Sequence, residues 1–194
     1  PALAIFPGSR ESAYGDGAFL LEVLRACAHD DSAIGAAFSV APLLDARRFA
    51  DEARAAGFTV ELHDDEHLPF SLRIDNRTIA RAWRGAIGSL LSRVQLVIGQ
   101  AGTANEAAAA AGVPVIAFER GRDRKTAWYR MRQHGLLGDA LVVLPGEVES
   151  GARGVHALLH DDARRARMAA IGRERMGAPG GTRAIAKAIA QAVE

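Results

Sequence analysis

One cysteine, Cys27, stands in 194 residues, so no intramolecular disulfide can staple the chain and packing alone must hold its core. Cys27 falls within an apolar helical pattern, which predicts a buried structural thiol and not a nucleophile. Aromatic residues are scarce at 6%, whereas hydrophobic residues reach 49% with alanine abundant; a chain of this length can fill one sizeable domain with small aliphatic side chains. A formal net charge of +1 excludes a bulk field that would draw nucleic acid or a membrane surface, and no nucleic-acid partner is expected. No apolar run approaches the length of a membrane span, and no signal-peptide arrangement opens the chain as given. A cytoplasmic location is therefore expected, with peripheral contact with the inner membrane left open. The first apolar strand begins at residue 2 with no leader before it. Either an initiator Met has been trimmed or a domain has been cut from a longer protein, and the second is expected. Two nucleotide signatures are also missing: there is no dinucleotide G-x-G-x-x-G pattern and no P-loop lysine after the glycines.

What is present centres on residues 94–119. Apolar runs at 94–98 and 113–118 read as strands buried on both faces of a parallel sheet. Between them residues 103–111 are alanine-rich, with Gly112 as a stop, which suits a helix packed tightly on that sheet. Gly99 and Gly102 let the backbone turn sharply between strand and helix. The first helical turn, with Thr103 and Ala104, then presents unpaired N–H groups. Such a place attracts anions, phosphate foremost. Thr103 adds a hydroxyl, and Glu106, about one turn on, can accept from sugar hydroxyls. A tight connection with no ligand explains the same glycines, and both alternatives stand at this point.

A second turn of this kind follows the strand at 2–6. Gly8 permits close approach, Ser9 offers a donor, and Arg10 supplies a planar cationic fork suited to phosphate or carboxylate. The bland alternative is a surface Arg10 paired with Glu11. A helix at 16–29, a strand at 34–41, a helix at 45–56 and a strand at 58–62 continue the alternation, which argues for a doubly wound parallel sheet. His63, His67 and the carboxylates between them lie in an acidic loop without an outlying ligand, so no metal site is expected there. Leu68-Pro69-Phe70 reads as an apolar loop, and residues 78–93 as a helix broken near Gly85 and Gly88, with Trp83 in packing. Beyond residue 119, Arg122, Arg124 or Lys125 could lean over the glycine turns, although a solvated basic face on the helix with Trp128, Tyr129 and Met131 is the plainer expectation. The last strand falls at 141–144. Two helices follow over 148–176, then a glycine hinge. The final helix ends near Val193 and carries Ile185, Ile189 and Val193 four apart, a stripe that should bury against something.

Four segments in this order carry a resemblance: P-G-S-R-E-S-A-Y after the first strand, G-Q-A-G-T-A-N-E with its A-G-V-P exit, D-R-K-T-A-W-Y-R-M-R-Q-H-G-L-L-G-D-A, and R-M-G-A-P-G-G-T-R-A-I-A. Together they resemble the lipid-A-disaccharide synthase-related glycosyltransferases over nearly the whole chain. The resemblance implies a Rossmann-like, doubly wound α/β domain, the C-terminal half of a GT-B fold, and hence a single nucleotide-sugar-binding domain over 1–194. Gly8, Ser9 and Arg10, with the backbone of Gly102, Thr103 and Ala104, would approach a donor diphosphate, and Glu106 would hold the ribose. In the true synthases the acidic residue sits one place later, where this chain has Ala107.

The implied function is donor binding in an inverting glycosyltransferase, with a UDP-sugar as donor substrate, no further cofactor, and a lipid or glycan acceptor. The catalytic base is assigned to a missing N-terminal acceptor domain, against which the helix at about 181–193 is expected to pack, so the isolated chain should be inactive. Two alternatives come from other classes. One is half of a UDP-N-acetylglucosamine 2-epimerase-like isomerase; the other is a nucleotide-binding module without turnover.

Overall fold

A computed structural model describes residues 2–121 and 124–193. The chain runs through β1 (Ala2–Phe6), α1 (Ala13–Asp30), β2 (Gly35–Ser39), α2 (Ala46–Ala55), β3 (Thr59–Leu62), β4 (Phe70–Ile74), β5 (Arg77–Trp83), α3 (Ile87–Leu91), β6 (Leu96–Gly99), α4 (Thr103–Ala110), β7 (Val115–Glu119), α5 (Arg124–Leu137), β8 (Leu141–Pro145), α6 (Val148–Leu159), α7 (Asp162–Met176) and α8 (Gly181–Val193). All eight strands join one sheet in the order β3-β4-β5-β2-β1-β6-β7-β8.

Side chains alternate across a strand, and at the centre of this sheet both faces are buried. Leu3 and Ile5 of β1 enter a core shared with α1, α2 and α6, whereas Ala4 and Phe6 enter one shared with α3, α4 and the end of α5. This two-sided burial is the doubly wound arrangement. Alanine suits it: Ala108 and Ala109 are fully buried, and they let the backbone of α4 approach the sheet closely. The N-terminus of α2 is fixed locally, where the Asp45 carboxylate accepts from the Arg47 N–H at 2.8 Å. No helix among the described residues is long and apolar enough to cross a membrane.

Six strands are parallel, from β5 to β8 in spatial order, but they are not the six that the sequence suggests. The segment at 58–62 is not an inner parallel strand. It is β3, which pairs antiparallel with β4 at the sheet margin and is largely exposed. The sixth parallel strand, β5, comes from the region expected to be helical at 78–93, of which only Ile87–Leu91 is helix. Its pairing explains the error. Asp75 adopts φ 52°, so a tight turn folds β5 back onto β4 with Ile74 opposite Arg77, and Arg73, Arg77 and Arg81 mask the apolar alternation. Phe70, expected in a loop, opens β4 and is fully buried.

Two expectations about side chains meet different outcomes. Cys27 is buried, its thiol directed at the Ala152 carbonyl oxygen 3.7 Å away on α6. Burial foremost, then the charge of Asp30, pushes this thiol up from 9.0 to about 12. In contrast, every described side chain of α8 is exposed, with Ile185 at 64% and Ile189 at 60%, so the stripe is uncovered.

Both observations can be tested. A raised thiol pKa means that the folded state holds its proton more tightly than the unfolded state. Its stabilising contribution is complete below pH 9 and is lost as pH climbs towards 12. At pH 8 we predict that Cys27 reacts with an aromatic disulfide reagent only as fast as the chain opens; rapid stoichiometric labelling of native protein would contradict its burial. For the last helix, Ile185→Glu with Ile189→Glu should leave the thermal stability of this chain within about 0.5 kcal/mol, because neither residue loses packing. A large loss in calorimetry would mean that α8 is seated on the core.

Candidate functional site

From β1 the chain passes to β2 beside it, runs out to β3 at the sheet margin and returns through β4 to β5 beside β2; it then crosses to the other side of β1 and winds outward through β6, β7 and β8. The order from β5 to β8 is the 3-2-1-4-5-6 order of doubly wound dinucleotide-binding sheets, with its reversal between β1 and β6. At such a point the loops after two neighbouring parallel strands leave toward opposite faces and open a crevice at the carboxyl edge. Here Phe6 is in register with Gly99, and the Gln100 N–H donates to the Phe6 carbonyl at 2.9 Å. The loop with Gly8, Ser9 and Arg10 therefore shares one sheet edge with Gly99, Gly102, Thr103, Ala104 and Glu106. The eight residues singled out from the sequence fall in the loop after β1, at the end of β6, and in the first turn of α4.

The turn after β6 is held by side chains that the sequence did not flag. Asn105 Nδ2 donates to the Gly99 carbonyl at 3.2 Å, and Arg130 donates to the Gln100 carbonyl at 3.2 Å. Gln133 Nε2 donates to the carbonyls of Ala101 and Gly102, each at 3.2 Å. Four successive carbonyls are thus tied inward, the last also accepting from the N–H groups of Asn105 and Glu106. The N–H groups of Thr103 and Ala104 belong to the first turn of α4, where no intrahelical acceptor exists. A turn with its oxygens withdrawn and a helix N-terminus at its exit has the electrostatics of an anion site.

These clamps are themselves interlocked. Gln133 Oε1 accepts from Arg130 at 3.1 Å and from Asn105 at 3.4 Å. Arg130 also donates to Gln100 Oε1 at 2.5 Å, while the Gln100 amide exchanges two hydrogen bonds with the Phe118 backbone of β7. Burial draws the Arg130 pKa below the usual arginine value, and the Asp16 charge works against that shift. Asn105 is fully buried and Gln133 nearly so.

The loop after β1 is more open. Gly8 has φ 125°, a conformation that side chains rarely adopt, while Ser9 and Arg10 are exposed. The pairing of Arg10 with Glu11 does not occur: Glu11 binds Arg48 at 2.5 Å, and among the described residues Arg10 has no ion-pair partner. Arg120, at the exit of β7, crosses to the start of α1. It donates to the Gly15 carbonyl at 2.9 Å and to Asp16 at 2.8 Å, with its guanidinium 4.5 Å over Phe19. Burial raises the Asp16 carboxyl above its ordinary value, and Arg120 offsets part of that rise. Arg122 and the side chains of Arg124 and Lys125, expected above the turns, lie outside the described residues. Trp128, Tyr129 and Met131 on α5 are exposed. His63 and His67 are engaged separately: His63 Nε2 lies 2.8 Å from Ser71 Oγ, and His67 Nδ1 lies 2.8 Å from the Arg84 carbonyl.

No protein-family model matches the sequence, and neither does any curated protein. Solved structures do. A protein from Listeria monocytogenes assigned as a UDP-N-acetylglucosamine 2-epimerase superposes with a TM-score of 0.67 at 18% identity, over 100% of this chain and 45% of that one. The UDP-GlcNAc 2-epimerase of Neisseria meningitidis, solved with UDP-GlcNAc bound, gives 0.59 at 13% identity over 98% of this chain and 44% of that one. The catalytic domain of the cholesterol-alpha-glucosyltransferase of Helicobacter pylori gives 0.58 at 13% identity, over 90% of this chain and 97% of that one. The chain thus spans less than half the length of the two epimerase structures. At such identities the likeness is one of fold: this chain is a Rossmann-like α/β domain of the kind that forms half of a GT-B fold.

Proposed function

We propose that this chain is the donor-binding, C-terminal domain of an inverting GT-B glycosyltransferase that uses a UDP-sugar. The observation that carries this is the turn at 99–102, whose carbonyls are all tied inward at the switch point, with an exposed Arg10 on the neighbouring loop that has no ion-pair partner among the described residues. In this proposal the diphosphate lies over that turn, bound by the N–H groups of Thr103 and Ala104 and by Arg10, with Ser9 donating its hydroxyl. Gly8 and Gly102 leave room for the approach, and Glu106 accepts from the ribose hydroxyls. As the glycosidic bond to the leaving phosphate breaks, these donors and the α4 N-terminus stabilise the charge on UDP. Cations and backbone donors suffice for that role, so the proposed step calls for no metal.

The acceptor and the base that deprotonates it belong, in this proposal, to an N-terminal domain across the cleft. The uncovered Ile185 and Ile189 of α8 are the surface that such a domain would cover. The four sequence segments support a relation to lipid-A-disaccharide synthase, although the acidic residue at 106 in place of 107 argues against that strict activity. A second function is favoured by the UDP-GlcNAc 2-epimerase structures, which share the fold and one of which was solved with UDP-GlcNAc bound. The donor site proposed here would serve either chemistry. Sugar products of the full-length protein distinguish transfer to an acceptor from inversion at the sugar C2.

Two measurements test the site itself. In calorimetric titrations Glu106→Ala should weaken UDP about tenfold or more, since a hydrogen bond to a carboxylate contributes about 1.5–3 kcal/mol, while leaving pyrophosphate nearly unaffected. Arg10→Ala should weaken both ligands alike. Equal weakening of both by Glu106→Ala would assign that residue to holding the helix, not to the ribose. Incubated with UDP-sugars and lipid or glycan acceptors, the isolated chain should release no UDP and form no product above background, because positioning and base are missing. Enzyme-dependent product from this chain alone would place the base within these residues and remove the two-domain mechanism.

A further inference from the structure

At the amino edge of the sheet, opposite the glycine turns, α1 and α6 end side by side. Asp31 follows the last residue of α1, and His156 and His160 lie one turn apart at the end of α6. One donor atom from each of the three lies within 4.8 Å of the others. We propose that this trio is a zinc-class metal site that clamps α1 to α6.

The donors come from places that packing holds still. Residues four apart on a helix share one face, so the two imidazoles project together, their ring centroids 4.4 Å apart. Asp31 is tied at both ends: its N–H donates to the Cys27 carbonyl at 2.9 Å, and its Oδ1 accepts from the Ala33 N–H at 2.8 Å. That leaves Oδ2 directed at His160 Nε2, 3.1 Å away. Beneath the trio, Cys27 and Ala28 of α1 and Val155, Leu158 and Leu159 of α6 are buried in one core, which fixes the spacing of the two helix ends.

The chemistry of the set selects the ion. Two imidazoles and one carboxylate favour Zn2+ and its first-row neighbours, whereas Mg2+ and Ca2+ prefer oxygen alone. Bonds of about 2.0–2.2 Å to a tetrahedral ion set donors roughly 3.3 Å apart, close to the His160–Asp31 distance, and rotation of surface imidazoles closes the remainder. Water would take the fourth position. This clamp is independent of the proposed nucleotide site at the opposite edge.

Metal-stripped protein titrated with Zn2+ should bind one equivalent, and the melting temperature should rise because only the folded chain holds the three donors together. Co2+ should give the visible absorption of a tetrahedral site, and Mg2+ should produce neither effect. His156→Ala and His160→Ala should each weaken Zn2+ by at least about tenfold, as should Asp31→Asn, with His134→Ala as the unchanged control. Melting of each variant without metal separates lost ligation from lost folding, and His156→Gln, a milder surface change, repeats the test. Undiminished one-to-one binding in the His156→Ala, His160→Ala double variant would overturn the site, as would the absence of binding to wild type at about 100 μM free Zn2+.

Discussion

The space above Gly99 is filled by Asn105. A β-carbon at Gly99 would lie 2.3 Å from Asn105 Oδ1, so glycine at the end of β6 and a buried amide one turn into α4 require one another. This fit sets where α4 begins relative to the strand before it. From it follow the inward direction of the next carbonyls, the seat of Gln133 between Ala101 and Gly102, and the docking of α5 against the turn through Arg130. The central strands would pair without it, but the crevice between β1 and β6 would lose its shape.

A network of this kind is costly if left incomplete, since each buried unsatisfied polar atom forfeits about 1–3 kcal/mol. Among the described residues two atoms in it are without partners, Asn105 Oδ1 and Arg130 Nε. The remaining polar atoms are matched closely, and the cation at their centre is partly desolvated, with Asp16 and Arg120 extending the charges across to α1. The crevice is therefore lined by fixed dipoles and held charges. The loop with Ser9 and Arg10, exposed on the other side, and the first turn of α4 offer donors that no described side chain ties down.

How much of this could be read from the sequence depended on whether the signal was local. The apolar runs that became β6 and β7, the glycine stop at Gly112 and the alanine helix between them form a continuous pattern, and they appear nearly at their expected bounds. Gly8 and Arg10 were visible because a strand ends just before them. β5 was not visible, because arginines interrupt its alternation and its identity as a strand comes from pairing with β2, some forty residues earlier in the chain. Gln133 and Asn105 are 28 residues apart and Arg130 lies 30 from Gln100, so their partnership has no local signature. For the same reason the spacing of His156 and His160 could be read as one helix face, whereas Asp31, 129 residues before His160, could join them only in three dimensions.

The hinge before α8 separates two properties that single-domain folds usually couple. Gly177 at φ 73° and Gly180 at φ 125°, with Pro179 between them, direct the last helix away from a body in which none of its described side chains is buried. A side chain at either glycine would strain the backbone and redirect α8, yet it would meet no neighbouring atom in the core. The heading of that helix is thus governed by a few residues that the sheet does not feel. Sequence change there can retune what the helix meets while the crevice between β1 and β6 keeps its geometry.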